Sequence, residues 1–259
     1  MSRIVLVHGA FGRAACWDRV VPGLRAAGHS VEAIDLPGQG DDPTPVNEIT
    51  LDRYAGRVCE VLAEGPPAVL VGHSMGGMVI TQAAARCPSH VARLVYVAAF
   101  LPWDGMSLID MTQLPEAAGD QIQANMVVEG DPPVARMSPE GARAARYGCC
   151  DDEQVAYALA RNSPQAVAPF THPVALGGQN ADASDAFAAL PRAYVMCLQD
   201  MAVRPPLQRL MIERAGCDPV IEIDTDHAVW ASRPEELAAA LNQIAGSDQP
   251  VRETSSAAI

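Results

Sequence analysis

The chain has 259 residues, with 18 basic and 31 acidic side chains and a formal net charge of -13. This length suits one α/β domain that carries an insertion, and the negative charge disfavours nucleic acid and anionic membrane surfaces as partners. All 18 basic residues are arginines. The absence of lysine excludes Schiff-base catalysis, a lysine-containing P-loop and the tyrosine-lysine pair of short-chain dehydrogenases. We therefore expect a small, neutral ligand.

The seven cysteines are scattered and form no C-x-x-C pair. An odd number cannot all pair within one chain, so we expect reduced thiols. Cys149 and Cys150 are adjacent, which suits neither an ordinary disulfide nor joint ligation of one metal, and the sequence predicts no metal and no cofactor. The chain starts on a strand pattern rather than a signal peptide, and no apolar run reaches the ~20 residues that span a membrane. These features predict a cytoplasmic protein.

Strands and helices alternate in the first part of the chain. Apolar and β-branched runs predict strands at residues 3–7, 30–35, 68–71 and 94–100, and helical segments at about 16–27, 50–63 and 75–86. The run at 68–71 is apolar throughout, which is typical of a strand buried on both faces of a parallel sheet. The alternation predicts an α/β fold with a doubly wound, mostly parallel sheet.

The alternation of strands and helices stops after about residue 101, and the sequence there is rich in proline, glycine and methionine. The clearest element in this region is a predicted helix at 151–161. We interpret residues 103–189 as an inserted cap. The core then comprises residues 1–102 and 190–246, because the alternation resumes with strands at 193–198 and 220–223 and helices at about 206–215 and 234–245. The polar segment 247–259 has no apolar period, so we expect a flexible tail.

The sharpest motif is Gly72-His73-Ser74-Met75-Gly76, a G-x-S-x-G between the buried strand and the helix that follows it. A serine at a tight strand-to-helix turn stands out over the carboxyl edge of the sheet, where the helix N-terminus favours developing negative charge. Ser74 is therefore the predicted nucleophile.

A serine nucleophile needs a base, and six histidines are candidates. His227 directly follows the last predicted strand, where a fold with a G-x-S-x-G strand-to-helix turn places its catalytic histidine. His8 and His73 lie beside glycines and are interpreted as shaping residues whose rings are satisfied locally. The other three lie at the opposite edge of the sheet or in the cap: His29, His90 and His172.

An aspartate should hold the imidazole, and it should lie between the serine and the histidine in chain order. Asp200 fits best because it follows the strand at 193–198, and Asp104 is the rival after the strand at 94–100. Asp224 and Asp226 are too close to His227 in sequence to reach its far nitrogen, so we expect solvated turn carboxylates.

The carbonyl oxygen of the substrate gains negative charge when the serine attacks. Two backbone N–H groups should donate hydrogen bonds to this oxygen. Met75 follows the nucleophile and supplies one donor, and Ala10 in the loop after the first strand is expected to supply the other. Phe11 and Trp103 are candidates for the lining of an apolar substrate pocket, with ordinary packing as the alternative role for both.

Several segments resemble one known family: Val5-Leu-Val-His-Gly-Ala10, Gly28-His29, Gly72-His-Ser-Met-Gly-Gly77, Val95-Tyr-Val-Ala-Ala-Phe-Leu-Pro102, Gln199-Asp200 and Asp226-His227. On these residues the chain resembles the methylesterase and hydroxynitrile lyase family of α/β-hydrolases over nearly its whole length. The resemblance implies an α/β-hydrolase fold with a cap, and a small-molecule ester as the partner. It leaves open whether the chain forms a homo-oligomer.

Two positions separate the two chemistries of that family. The lyases place a lysine beside the catalytic histidine to stabilise the leaving cyanide, and that neighbour is Ala228 here. They also carry a threonine hydroxyl at the position of Gly9. Neither position here supplies a group that stabilises cyanide, so the resemblance favours ester hydrolysis.

The sequence therefore predicts a serine hydrolase that cleaves a small to medium-sized apolar carboxylic ester, such as a methyl or aryl ester, through an acyl-enzyme. The alternatives are hydroxynitrile lyase-type or other non-hydrolytic chemistry on the same triad, and a catalytically idle ligand-binding protein. A dinucleotide-binding oxidoreductase fails on glycine spacing, because Gly9-Ala-Phe-Gly12 is not a G-x-G-x-x-G.

Overall fold

The computed structural model describes residues 1–177 and 181–246. Its centre is a six-stranded parallel sheet in the order β2-β1-β3-β4-β8-β9. The six strands are β1 (Arg3–Val7), β2 (Ser30–Ile34), β3 (Ala68–His73), β4 (Val91–Val97), β8 (Arg192–Cys197) and β9 (Val220–Ile223). The predicted doubly wound parallel sheet is thus confirmed, and the predicted segment 247–259 lies outside the described residues.

Helices cover both faces of this sheet. The core helices are α1 (Val21–Ala26), α2 (Leu51–Ala63), α3 (Gly76–Arg86), α10 (Pro205–Ala215), α11 (Val229–Ser232) and α12 (Pro234–Gly246). The N-terminus of α2 is fixed by the Thr50 hydroxyl, which accepts a hydrogen bond from the Arg53 N–H. The predicted helix at 16–27 is instead a 3₁₀ helix, Ala14–Trp17, followed by α1. Pro22 suits the first turn of α1 because its missing N–H would have no partner there.

The strands alternate their side chains between two buried layers. In β1, Val5 and Val7 face the layer that contains α2 and α3, whereas Ile4 and Leu6 face the layer that contains α1 and α12. Every residue of β3 is buried, as its apolar sequence predicts. Because β3 is held on both faces, Ser74, the residue that follows it, has a fixed position at the edge of the sheet.

The segment between β4 and β8 has a different organisation. It contains a small antiparallel sheet in the order β5-β6-β7. Its elements are α4 (Leu108–Thr112), α5 (Ile122–Asn125), β5 (Met126–Glu129), β6 (Val134–Met137), α6 (Pro139–Arg146), α7 (Asp152–Leu159), β7 (Gln165–Ala166), α8 (Ala168–Thr171) and α9 (Ala181–Ala188). The exact bounds of the cap, 103–189, remain a prediction.

The expectation that the thiols are reduced is wrong for two cysteines. Cys59 in α2 and Cys87 after α3 form a disulfide, because these two helices pack side by side and bring residues distant in sequence together. The five free cysteines are Cys16, Cys149, Cys150, Cys197 and Cys217. Within residues 1–177 and 181–246, no helix is both long and apolar enough to cross a bilayer.

Candidate active site

Ser74 occupies a strained turn between β3 and α3. Its φ of 55° lies in the left-handed region, which non-glycine residues adopt mainly where the surrounding structure imposes it. Two glycines make the turn possible: a Cβ at Gly72 would lie 2.6 Å from the Gly76 carbonyl oxygen, and one at Gly76 would lie 2.8 Å from the His8 carbonyl oxygen. A backbone hydrogen bond also fixes the turn, because the Ser74 carbonyl accepts from the Phe100 N–H at 3.1 Å.

His227 and Asp200 are directly hydrogen-bonded. The ring Nδ1 of His227 donates to Asp200 Oδ2 at 2.9 Å, and both residues are buried. The same carboxylate also accepts from the N–H groups of Ala202 and Val203, at 2.7 and 2.9 Å, and from the Gln208 amide at 3.2 Å. This network fixes the Nδ1–H tautomer of His227, so that Nε2 is free to accept a proton.

Ser74 and His227 line one cavity beneath the insertion. The Ser74 hydroxyl forms no hydrogen bond to the His227 ring or to any other residue within the described ranges. Such bonds often form only when substrate is bound. Within the described ranges the two side chains thus share a cavity without a hydrogen bond between them, and the serine-histidine relay stays a prediction.

The predicted oxyanion donors line this same cavity. Among the described residues, the backbone N–H groups of Ala10 and Met75 have no hydrogen-bond partner, and both residues contribute to the cavity wall. Gly9 lies against the serine, because a Cβ at Gly9 would be 2.7 Å from Ser74 Cβ. A side chain at position 9 would therefore displace the predicted nucleophile.

The two histidines next to glycines are held as the sequence predicts. His8 Nε2 accepts from the Leu36 N–H at 3.2 Å, which leaves Nδ1 to donate to the Gly9 carbonyl at 2.8 Å. His73 Nε2 donates to the backbone carbonyl of His227 at 2.9 Å, and the two rings lie 4.6 Å apart. Burial lowers the pKa of His8, and burial followed by the charge of His227 holds the pKa of His73 well below its usual range. Both rings are therefore neutral.

Two of the residues that the sequence offers for the site, Trp103 and Asp104, lie outside the wall of the cavity that contains Ser74. Phe11 lines the cavity of Ser74, but Trp103 lines a separate cavity, where the Arg214 guanidinium lies 4.2 Å above its ring. Trp103 is thus wrong as a pocket residue. The rival acid Asp104 is exposed, accepts from the Leu176 N–H at 2.8 Å, and lines a cavity whose wall includes neither His227 nor Asp200 among the described residues.

Asp226 is not the solvated turn carboxylate that its neighbourhood in sequence suggests. It is buried and accepts hydrogen bonds from the N–H groups of Cys149, at 2.6 Å, and Ala228, at 3.2 Å. Burial raises the pKa of the Asp226 carboxyl. The prediction failed because the partner at Cys149 comes from the insertion, and no local pattern reveals that contact.

Arg146 is a residue of the cavity that sequence reasoning missed. It ends α6 and is buried, and its backbone carbonyl accepts from the Ala228 N–H at 3.1 Å. Its guanidinium donates to Asn162 Oδ1 at 3.0 Å, and that oxygen also accepts from the Tyr147 hydroxyl at 2.8 Å. No sequence signal marks it, since an arginine in a short polar helix is usually solvated.

A family model described as the alpha/beta hydrolase family matches residues 4–240. The chain belongs to the alpha/beta hydrolase family. Methylesterase 7 of Arabidopsis thaliana is 34% identical over 261 residues, which cover 94% of this chain and 96% of that protein. The alpha-hydroxynitrile lyase of the same plant is 32% identical, with 93% and 96% covered. A crystal structure of a pyrethroid hydrolase superposes with a TM-score of 0.81 at 28% identity, over 94% of this chain and 97% of that chain.

These similarities confirm the predicted α/β-hydrolase fold and the predicted resemblance to the methylesterase and hydroxynitrile lyase group. They cover the insertion as well as the core, because each spans at least 93% of the chain. The relatives include both ester-cleaving proteins and a lyase. The choice between these chemistries therefore depends on the residues of the cavity in this chain.

Proposed function

We propose that this chain is a serine esterase that cleaves a small to medium-sized apolar carboxylic ester, such as a methyl or aryl ester. The observation that carries the proposal is the hydrogen bond from His227, which lines the same cavity as Ser74, to the buried Asp200. The names of several similar proteins support it: a methylesterase, a pyrethroid hydrolase and a polyneuridine aldehyde esterase. A small-molecule ester is the proposed partner.

In the proposed mechanism, His227 Nε2 takes the proton of Ser74 as the hydroxyl oxygen attacks the ester carbonyl. The C–O bond to the alcohol then breaks, and His227 returns the proton to the departing alcohol. Water attacks the acyl-enzyme with the same histidine as base, which frees the carboxylic acid and restores Ser74. Asp200 stabilises the imidazolium that forms in both halves of this cycle.

The developing oxyanion would lie against the backbone N–H groups of Ala10 and Met75. Their lack of other partners supports this role, because donors that are already oriented stabilise the transition state without a cost of reorganisation. Each such donor contributes roughly 3 to 4 kcal/mol in comparable enzymes.

Hydroxynitrile lyase chemistry is the second candidate. One relative carries that name, and Arg146 brings a cation into the cavity although no lysine follows His227. Against it, Ala228 is buried with its N–H bonded to Asp226, and the space beside Gly9 is too small for the threonine that the lyases carry. These contacts favour the esterase.

The test is a panel of methyl esters, aryl esters, lactones and cyanohydrins, offered to the purified chain. The esterase proposal predicts release of acid and alcohol from the methyl or aryl esters, with little cleavage of cyanohydrins. Cyanide release that exceeds ester hydrolysis would instead assign the lyase. No turnover in any class, with a correctly folded protein, would favour the catalytically idle alternative.

We also propose the cytoplasm as the compartment. The five free cysteines support it, whereas the disulfide between Cys59 and Cys87 is of a kind that is uncommon in reducing compartments. Fractionation of the source cells, with an antibody against the chain, tests the proposal. Recovery in the cytoplasmic fraction would agree with it, and recovery outside the cytoplasm would contradict it.

A further inference from the structure

Arg146 lies at the meeting point of the insertion and the catalytic loop. It is the last residue of α6, and its backbone carbonyl accepts from the N–H of Ala228, the neighbour of His227. Only 6% of its surface is exposed, and it lines the cavity that Ser74 and His227 also line. A full positive charge is therefore fixed inside the predicted substrate site.

The charge of this guanidinium is not neutralised. No aspartate or glutamate in residues 1–177 and 181–246 forms an ion pair with Arg146, and its one hydrogen-bonded partner is the neutral amide oxygen of Asn162. The Nε–H of Arg146 is buried and has no hydrogen-bond partner in the part of the chain that the structure describes. The rings of Tyr147 and Phe11, 4.8 and 5.3 Å from the guanidinium carbon, stabilise the cation only in part. A buried cation without a counter-charge is costly, so a partner in the cavity is expected.

Other features of the cavity indicate the chemistry of that partner. Trp230 also lines the cavity, and among the described residues its buried indole N–H has no hydrogen-bond partner. Among the residues that the structure describes, the one carboxylate in the wall is that of Asp120, which already accepts from the N–H groups of Ile122 and Gln123, at 3.0 and 3.1 Å. Much of the remaining lining is apolar: Phe100, Leu108, Ile109, Met126 and Phe170. This wall fits a molecule with an apolar body and one anionic end.

We propose that Arg146 is a specificity-determining residue that binds a carboxylate on the substrate, so that the preferred ester carries a second, free carboxylate, as in the half-ester of a dicarboxylic acid. This inference rests on the proposed esterase function. The guanidinium would hold the free carboxylate while the ester group lies at Ser74. The net charge of -13 slows the approach of an anion, but salt screens that effect over about 10 Å, and the cavity charge is local.

The test compares matched pairs of esters. Each monomethyl ester of an aliphatic or aromatic dicarboxylic acid is paired with the neutral methyl ester in which an isopropyl group replaces the free carboxylate. The shape is nearly the same, so the ratio of the two kcat/KM values isolates the contribution of the charge. We expect wild type to prefer the carboxylate-bearing member of at least one pair by roughly 10- to 100-fold, the worth of one charged hydrogen bond.

The variants are Arg146→Met, which removes the charge and keeps the length, and Arg146→Lys, which keeps the charge. Arg146→Met should abolish the preference, mainly through a higher KM for the half-ester, and Arg146→Lys should restore part of it. Arg143→Met is the matched control, because Arg143 lies one turn earlier on α6 and is paired with Asp152 at the surface. It should leave the ratio unchanged.

The outcomes separate this inference from the function on which it rests. A ratio near one in wild type for all pairs, or a ratio that Arg146→Met does not change, would overturn the role of Arg146 while ester hydrolysis stands. A purely structural role would lower turnover of both members equally in Arg146→Met, which also contradicts the inference. Failure of wild type to hydrolyse either member of any pair, or any other ester, would overturn the proposed function itself.

Discussion

The carboxylate of Asp200 is surrounded by four donors, from Ala202, Val203, Gln208 and His227. Such a carboxylate cannot turn away from the histidine, and it can hold only the Nδ1–H tautomer. Asp104, which the sequence offers as a rival, makes its hydrogen bond to Leu176 in the insertion. The two aspartates therefore form a matched pair for mutagenesis.

Asp200→Asn should lower kcat by about 10⁴-fold, because an asparagine amide facing Nδ1 favours the wrong histidine tautomer. Asp104→Asn should change kcat by less than about twofold, since an exposed carboxylate away from the cavity affects no step. Steady-state hydrolysis of one good ester measures both. A large loss in Asp104→Asn with near-normal Asp200→Asn would reassign the acid.

Gly9 shows how little space surrounds the predicted nucleophile. Gly9→Ala would place a Cβ 2.7 Å from Ser74 Cβ and 3.0 Å from the His73 carbonyl oxygen. We expect a loss of roughly 10²-fold in kcat/KM, because small displacements of reacting groups are costly. In the control Gly56→Ala, the new Cβ meets no heavy atom within 4 Å. This helical substitution should keep full turnover and add up to about 1 kcal/mol of stability. Full activity of Gly9→Ala would show that the loop relaxes freely.

At the scale of elements, the disulfide links the helices that precede and follow β3 in the chain, α2 and α3. Cys59 lies in α2 and Cys87 follows α3, the helix that begins beside Ser74, and the two cysteines are 28 residues apart in sequence. A cross-link of this span restricts the unfolded chain more than the folded one. It therefore stabilises the packing of α2 against α3. Because α3 begins two residues after Ser74, this packing also helps to hold the turn at Ser74.

Cys59→Ser should lower the free energy of unfolding by about 3 to 4 kcal/mol under non-reducing conditions, the chain-entropy estimate for a loop of this length. Urea titration with and without reductant measures the effect, and reductant should bring wild type close to the variant. Cys217→Ser serves as the control because Cys217 is a free, partly buried cysteine. Equal stabilities of wild type and Cys59→Ser without reductant would show that the bond does not form.

At the scale of the whole molecule, the buried histidines couple stability to pH. Burial lowers the pKa of His8 and His73 in the folded chain from the ordinary value of 6.5. Below pH 6.5 the two histidines of the unfolded chain therefore bind protons that those of the folded chain do not, so their contribution to stability is full above this pH and declines as the pH falls. The decline approaches about 1.4 kcal/mol per pH unit for each histidine.

His73→Gln should remove one of these two contributions while its amide can still donate to the His227 carbonyl. Between about pH 6.5 and pH 5, the free energy of unfolding of wild type should fall more steeply than that of the variant, by up to about 1.4 kcal/mol per pH unit. Urea titrations at several pH values give both slopes. Parallel slopes would mean that His73 is protonated in the folded chain.

Much of this architecture could be predicted from the sequence because it depends on local patterns. The apolar run before Ser74 predicts a buried strand, the glycines around it predict the turn, and the chain order of Ser74, Asp200 and His227 predicts where their loops meet. Each signal lies within a few residues, and the parallel sheet brings the ends of its strands to one edge by rule.

Contacts between the insertion and the core could not be predicted in this way. Asp226 accepts a hydrogen bond from the N–H of Cys149, which belongs to the insertion. Arg146 lines the cavity because α6 ends beside it. Cys59 and Cys87 form a disulfide because α2 packs against α3. Trp103 was predicted to line the substrate pocket because it is an aromatic residue shortly after a core strand, but it lines a different cavity. Tertiary packing decides these positions, and no periodic signal records it.

The most direct test of the central claim is covalent labelling with a fluorophosphonate, followed by peptide mapping in a mass spectrometer. We predict a single adduct on Ser74 that blocks ester hydrolysis. In Ser74→Ala, the adduct should be absent and turnover should be at least ~10³-fold lower. An adduct on a different residue, or a Ser74→Ala variant that hydrolyses esters at the wild-type rate, would contradict the account.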